Sequence, residues 1–194
     1  MENEVKEPAP KYNYVSIKDY LEMERNSAEK HEYYEGEVFA MSGASISHNR
    51  ISMNVASQLT SKLNGKNCEP FGSDLRIHIP KNTLYTYPDF SIICGEVKTT
   101  DDEFDTVTNP TVIIEILSAS THKYDRLEKF SLYREIESFK EYILIDSRKY
   151  HIQKHELTPQ GWLLTDYKDF ENFFSINAVG ISITLQDIYK GILF

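Results

Sequence analysis

The chain has 194 residues, 40% hydrophobic and 26% charged, a composition that excludes disordered and collagen-like classes. Acidic residues outnumber basic ones 30 to 21, and the net charge of −9 excludes a protein that coats nucleic acid through its overall charge. No apolar run exceeds four residues, as in Val38 to Met41 and Tyr142 to Ile145, and Val112-Ile113-Ile114 stops at Glu115, all far short of the about 20 residues that cross a bilayer.

Residues 1–13, with Glu2, Glu4, Lys6, Glu7, Pro8 and Pro10, read as a flexible arm ahead of a single domain over 14–194. Ser16 with Asp19 three residues on, followed by Ile17, Tyr20 and Leu21, predicts a short capped helix. Tyr33 to Met41 reads as a strand or tight hairpin around Glu35-Gly36-Glu37. Ile51, Val55, Leu59 and Leu63 recur every four residues and predict a helix from a Ser47 cap to Asn64-Gly65. Cys68 to Ile79 and Tyr87 to Cys94 read as two paired strands joined by a Pro80 to Thr86 turn. Thr111 to Leu117, apolar on both faces, has the pattern of a central strand. With a helix from about Tyr124 to Ile136 and a strand Glu141 to Asp146, it makes a right-handed βαβ unit. Tyr150–Leu157, Gly161–Tyr167 and Phe173–Leu185 read as antiparallel strands, and Leu185 to Tyr189 as a short closing helix. The fold class is α/β, with a mixed sheet and extra C-terminal antiparallel strands.

A chain of this size buries enough surface to fold without a disulfide or structural metal. Cys68 and Cys94 lie in no CxxC pair, and the start shows no signal-peptide pattern, so the expected compartment is a reducing cytoplasm. Charge is segregated: Val38 to Cys68 holds Arg50, Lys62 and Lys66 and no acid, whereas Glu96 to Asp105 holds five acids against Lys98. Such runs are either solvated faces and loops or surfaces for a charged partner.

Glu115 stands out, because an ionised carboxylate inside Val-Ile-Ile-Glu-Ile-Leu needs a cation against the cost of desolvation. The cation is either an Arg or Lys in a structural bridge or a metal in an active site. Strand alternation puts Asp89 on one face with Ser91 and Ile93, and Glu115 with Ile113 and Leu117. On neighbouring strands the two acids would face each other near one end of the sheet, and their oxygens suit a hard cation such as Mg²⁺.

Pro88-Asp89, then Glu115-Ile116-Leu117 after 26 residues, resembles a PD-(D/E)XK nuclease signature. More closely, an ordered set of segments resembles the Uma-two family of restriction endonucleases over roughly residues 16–167. The set is Tyr34-Glu35-Gly36-Glu37, Gly43 to His48, Ser73-Asp74-Leu75-Arg76, Tyr87-Pro88-Asp89, Glu115 to Ser118, Asp125 to Lys129 to Tyr133, and Glu141 to Asp146. The resemblance implies a restriction-endonuclease-like core, a mixed sheet flanked by helices, and Mg²⁺- or Mn²⁺-dependent hydrolysis of DNA by a homodimer. Asp89 and Glu115 would hold the metal. The chain departs from the pattern where the superfamily has its lysine, two residues after Glu115, because Leu117 stands there.

Lys129 is the substitute to expect, reaching back over the sheet edge; otherwise it is a surface lysine paired with Asp125. Lys123 is a weaker candidate. Glu35 is a site acid or an exposed turn acid, His48 a phosphate or water contact or a local helix-start group, and Asp74 a third acid or a partner of Arg76. Arg50, Lys62, Lys66, Lys123 and Arg126 form the expected DNA-facing surface. His151 and His155 read as sharing an exposed strand face rather than binding metal. No Gly-rich phosphate loop, GxSxG or Cys/His nucleophile pair occurs, and nothing points to sugar for a two-carboxylate glycosidase. The competing reading is a nuclease-like fold that no longer cuts and serves as a nucleic-acid-binding or protein-interaction module. The missing lysine at Leu117 and the negative charge favour it.

Overall fold

The computed structural model describes residues 14–41, 43–101, 105–118 and 128–194. Residues 1–13, expected as an arm, lie outside that set. Helix α1 (Ile17–Asn26) starts as expected, with the Asp19 N–H donating to Ser16 Oγ at 3.1 Å. Strands β1 (His31–Tyr34) and β2 (Glu37–Ala40) form a hairpin whose two turn residues, Glu35 and Gly36, take φ of 47° and 88°. A two-residue hairpin loop of this hand requires positive φ at both positions, and the glycine supplies one of them without strain. Helix α2 (Ile46–Leu63) is capped by Ser45, not Ser47, through the His48 N–H at 3.2 Å. Its Ile51, Val55, Leu59 and Leu63 are all buried, as their four-residue spacing predicts.

The stretch expected as one strand from Cys68 to Ile79 is two, β3 (Cys68–Gly72) and β4 (Arg76–Ile79), which enter different sheets. The break falls at Ser73-Asp74, where the Leu75 N–H closes a turn on the Gly72 carbonyl at 3.2 Å. The expected Pro80 to Thr86 turn contains a further strand, β5 (Leu84–Thr86), antiparallel to β4. Tyr87-Pro88-Asp89 then carries the chain to β6 (Phe90–Cys94); Pro88 has no N–H for a ladder and marks the passage between sheets. Strand β7 (Thr106–Val107) lies parallel to β4.

Strands β8 (Val112–Leu117) and β9 (Glu141–Asp146) are parallel, with Glu115 beside Leu144, and helix α3 (Phe130–Tyr133) lies between them in sequence. The part of that helix expected over 124–127 is outside the described residues. After β10 (Ile152–Thr158) and β11 (Gly161–Tyr167), the hairpin β12 (Phe173–Ile176) and β13 (Ile181–Thr184) is joined by a 3₁₀ turn, Asn177–Val179. Helix α4 (Leu185–Ile188) follows.

The main sheet has the order β11-β10-β9-β8-β6-β3, the second sheet β2-β1-β5-β4-β7, and β12-β13 pair separately. Strand alternation divides the core. Ile92, Ile114, Ile116, Ile143 and Ile145 pack on α2, α4 and the β12–β13 hairpin. Ile93, Ile113, Leu117, Tyr142 and Leu144 pack on Ile77, Ile79 and Leu84 of the second sheet and on Tyr133 of α3. The result is the expected mixed α/β class. Among the described residues no helix is long and apolar enough to cross a membrane.

Cys68 and Cys94 stand directly opposite each other on β3 and β6, Cα atoms 4.0 Å apart, and are joined as a disulfide. The chain therefore has a staple that its size did not demand. Disulfides belong mainly to oxidising settings, so the cysteines no longer support a reducing compartment.

Candidate active site

Because β6 is antiparallel to β8 with Phe90 beside Ile114, Asp89 falls next to Glu115 at the end where β8 finishes. Each backbone serves the other's carboxylate: the Ile116 N–H donates to Asp89 Oδ2 at 2.7 Å, and the Asp89 N–H approaches Glu115 Oε2 at 3.4 Å. His48, in the first turn of α2, places Nε2 at 3.3 Å from Asp89 Oδ1. Glu115, only 5% exposed, accepts at Oε1 from Lys129 Nζ at 3.3 Å and from the Tyr133 hydroxyl at 3.1 Å. Lys129 and Tyr133, four apart, lie on one helical face, and burial beside the Glu115 charge pushes the Tyr133 phenol well above its usual range. Lys129 is itself 5% exposed and also meets Glu32 Oε1 at 2.8 Å. Thr86 donates its hydroxyl to that same Glu32 oxygen.

The strand leading into Asp89 is anchored from behind. Tyr87 donates its hydroxyl to Glu24 Oε1 at 2.9 Å and accepts from Arg76 Nη1 at 3.1 Å. Arg76, 2% exposed, also meets Thr106 Oγ1 at 2.9 Å and Asp105 Oδ1 at 3.0 Å. Burial pushes the Tyr87 hydroxyl far above its usual range, so it stays a neutral donor two residues before Asp89.

The model of the Uma2 family, described as "Putative restriction endonuclease", matches residues 17–186. The chain belongs to this family. It is 33% identical over 188 residues to the "Uncharacterized protein slr1290" of Synechocystis sp. (strain ATCC 27184 / PCC 6803 / Kazusa), covering 96% of this chain and 97% of that one. It is 38% identical over 153 residues to the "Uncharacterized protein sll1609" of the same organism, covering 78% and 86%. The fold is shared with a crystal structure of "a putative nuclease belonging to DUF820" from Anabaena variabilis ATCC 29413. The TM-score is 0.73 at 16% identity, over 92% of this chain and 99% of that one.

In this Uma2 chain the sequence-derived residues separate clearly. Asp89, Glu115, Lys129 and His48 come together, and Lys129 is a buried group rather than a surface lysine. Glu35 sits exposed in the β1–β2 turn, and the acid that points inward from that hairpin is Glu32, three residues earlier. Asp74 is also apart: its side chain is 95% exposed and pairs with Lys30 at 2.6 Å, while Arg76 takes Asp105 instead. Arg50 lies near His48 on α2, whereas Lys62 is at the far end of that helix and Lys66 in the turn that follows it. Lys123 and Arg126 are outside the described residues. His151 and His155 do not share an exposed face: His151 is buried against Asp166, and His155 packs on Phe130 with ring centroids 4.2 Å apart.

Two site residues escaped the sequence reading, Glu32 and the hydroxyl of Tyr133. Alternation from Tyr34, which packs in the second core, would have turned Glu32 inward, and the four-residue step from Lys129 would have brought Tyr133 beside it. Among the described residues no group of three His, Cys, Asp or Glu side chains could hold a metal. A pair of carboxylates does fit Mg²⁺, which keeps several waters and takes one or two carboxylates together with phosphate oxygens. Asp89 and Glu115 are such a pair, adjacent and at the end of the sheet.

Proposed function

We propose that this Uma2 protein is a Mg²⁺- or Mn²⁺-dependent DNA endonuclease that hydrolyses phosphodiester bonds. The observation that carries the reading is the convergence of Asp89 just before β6, Glu115 in β8 and Lys129 at the N-cap of α3. Asp89 and Glu115 would hold the cation, which when bound lowers the pKa of a water and offsets charge on the scissile phosphate. Lys129, an ammonium between Glu32 and Glu115, donates hydrogen bonds to the attacking water or to a phosphate oxygen rather than accepting a proton. Tyr133 and the Ile116 N–H fix the two carboxylates, and His48 orients the outer oxygen of Asp89. Two copies would cut the two strands of a duplex.

One observation favours the second reading, a fold that binds without cutting: Lys129 already gives Glu115 the protein cation that a metal would otherwise supply. Nicking of supercoiled plasmid DNA in Mn²⁺ decides between them. The wild type is expected to nick and Lys129→Met to be at least ~100-fold slower, the usual scale for losing a positioned proton-donating group. Nicking by Lys129→Met at the wild-type rate would remove the lysine from the mechanism, and an inert wild type would favour the binding module.

A further inference from the structure

The end of the main sheet that carries Asp89 and Glu115 also carries cations that the sequence did not single out. Asp146 closes β9 directly beside Leu117 of β8, two residues beyond Glu115. The next residue, Ser147, donates both its N–H, at 3.2 Å, and its hydroxyl, at 2.7 Å, to the Leu117 carbonyl. The β9–β10 turn is therefore tied to the end of the strand that bears Glu115. Within it, the buried Asp146 carboxylate accepts from the Arg148 N–H at 3.0 Å, Nε at 3.0 Å and Nη2 at 3.1 Å. This fork fixes the guanidinium and leaves Nη1 outside it, on a side chain 46% exposed. Lys149, exposed, follows at once.

The C-terminal segment meets the same end. Tyr189 Oη lies 3.0 Å from the Asp146 carbonyl oxygen. Asn54 of α2 donates to the Lys190 carbonyl at 3.0 Å, and Arg50 Nη1 donates to the Gly191 carbonyl at 2.6 Å. Arg50 is two residues from His48, which touches Asp89. Lys62, by contrast, is about 18 Å further along α2 at the helical rise of 1.5 Å per residue. Lys66 reaches instead to the Gly180 carbonyl at 3.2 Å.

We propose that Arg148 and Lys149 of the β9–β10 turn, with Lys190 and Arg50, form the surface that grips the phosphate backbone of duplex DNA beside Asp89 and Glu115. This rests on the nuclease reading and relocates its substrate surface from the length of α2 to the strand-exit end of the sheet. Arg148, held by Asp146, presents a pre-oriented donor to one phosphate, and the two lysines act as mobile point charges on neighbouring ones.

The test is binding of a fluorescein-labelled mixed-sequence 20-base-pair duplex by anisotropy over a salt series, with Ca²⁺ in place of Mg²⁺. Lys149→Gln/Lys190→Gln removes two surface charges and breaks no contact that holds the fold. It is expected to weaken binding ~10-fold or more at low salt and to reduce the slope of log affinity against log salt by about two. Arg148→Gln should reduce the slope by about one, and Lys62→Gln/Lys66→Gln should leave it unchanged. A wild-type slope in Lys149→Gln/Lys190→Gln, or an equal loss in Lys62→Gln/Lys66→Gln, overturns the proposal while leaving the nuclease reading intact. A wild type that binds no duplex at any salt overturns both.

Discussion

Lys129 sits between Glu32 and Glu115, and each of the three side chains is buried. Removing one partner of a buried charge cluster costs about 3–5 kcal/mol, because the remaining charges lose their compensation. Lys129→Met should therefore unfold at markedly lower urea than the wild type. Adding Glu32→Gln should restore much of that loss without restoring DNA cleavage. Full recovery of cleavage in the double variant would show that Lys129 acts only as a structural counter-ion. The partnership of Asp89 with Glu115 was legible because strand alternation on two neighbouring strands brings them together, and the antiparallel register of β6 on β8 sets them side by side. Glu32 was not: alternation sets it on the face of Tyr34, but Tyr33 on the other face is buried as well, and which of the two faces meets Lys129 depends on how the second sheet packs. Glu35 drew attention through its Glu-Gly-Glu setting, yet that setting is the signature of the turn itself.

Among the elements, the join between β9, β10 and the C-terminal hairpin holds a second buried acid. Glu141 lies opposite Glu156, accepts from the Asn177 N–H at 2.8 Å, and is 3.8 Å from Lys154 Nζ. Lys154 is shared with Glu156 at 2.7 Å and the Ser175 carbonyl at 2.9 Å, so burial dominates and pushes the Glu141 carboxyl up from 4.5 to about 7. A folded-state value above the unfolded one means that the stability from this group is full below about 4.5 and is lost as pH rises through about 7. Between pH 5 and pH 8 the wild type should lose roughly 3 kcal/mol relative to Glu141→Gln. Parallel melting curves for the two proteins across that range would show that Glu141 is not the group responsible. His78, whose burial lowers its value, has the opposite trend, which the comparison with Glu141→Gln cancels. The periodicity of α2 and the apolar run of β8 gave those elements directly. The division into β3 and β4 was hidden because Leu75, Ile77 and Ile79 keep strand alternation across a turn made by Ser73-Asp74, where the backbone changes sheets.

For the molecule as a whole, the Cys68–Cys94 bond closes a loop of 26 residues that contains β4, β5 and Asp89. Closing a loop of that length restricts the unfolded chain by about 3–4 kcal/mol. Cys68→Ser/Cys94→Ser should accordingly melt several degrees lower than the oxidised wild type, and reductant should bring the wild type down to match. A wild type indifferent to reductant would show that the staple contributes nothing to stability. The family and fold could be read from the order of the motifs, of which those around His48, Asp89, Glu115 and Lys129 deliver side chains to one end of the main sheet. The cationic surface could not, because Arg148 and Lys149 come from a segment distant in sequence from Lys190, and the two meet where Tyr189 bonds the Asp146 carbonyl and packs on Tyr150.

On the function proposed above, Asp89 and Glu115 together hold a divalent cation. Calorimetric titration of Mn²⁺ into the wild type, Asp89→Asn and Glu115→Gln tests it without any choice of DNA. Binding by the wild type and its loss in both variants is the predicted result; no binding by the wild type, or binding retained in both variants, would contradict it.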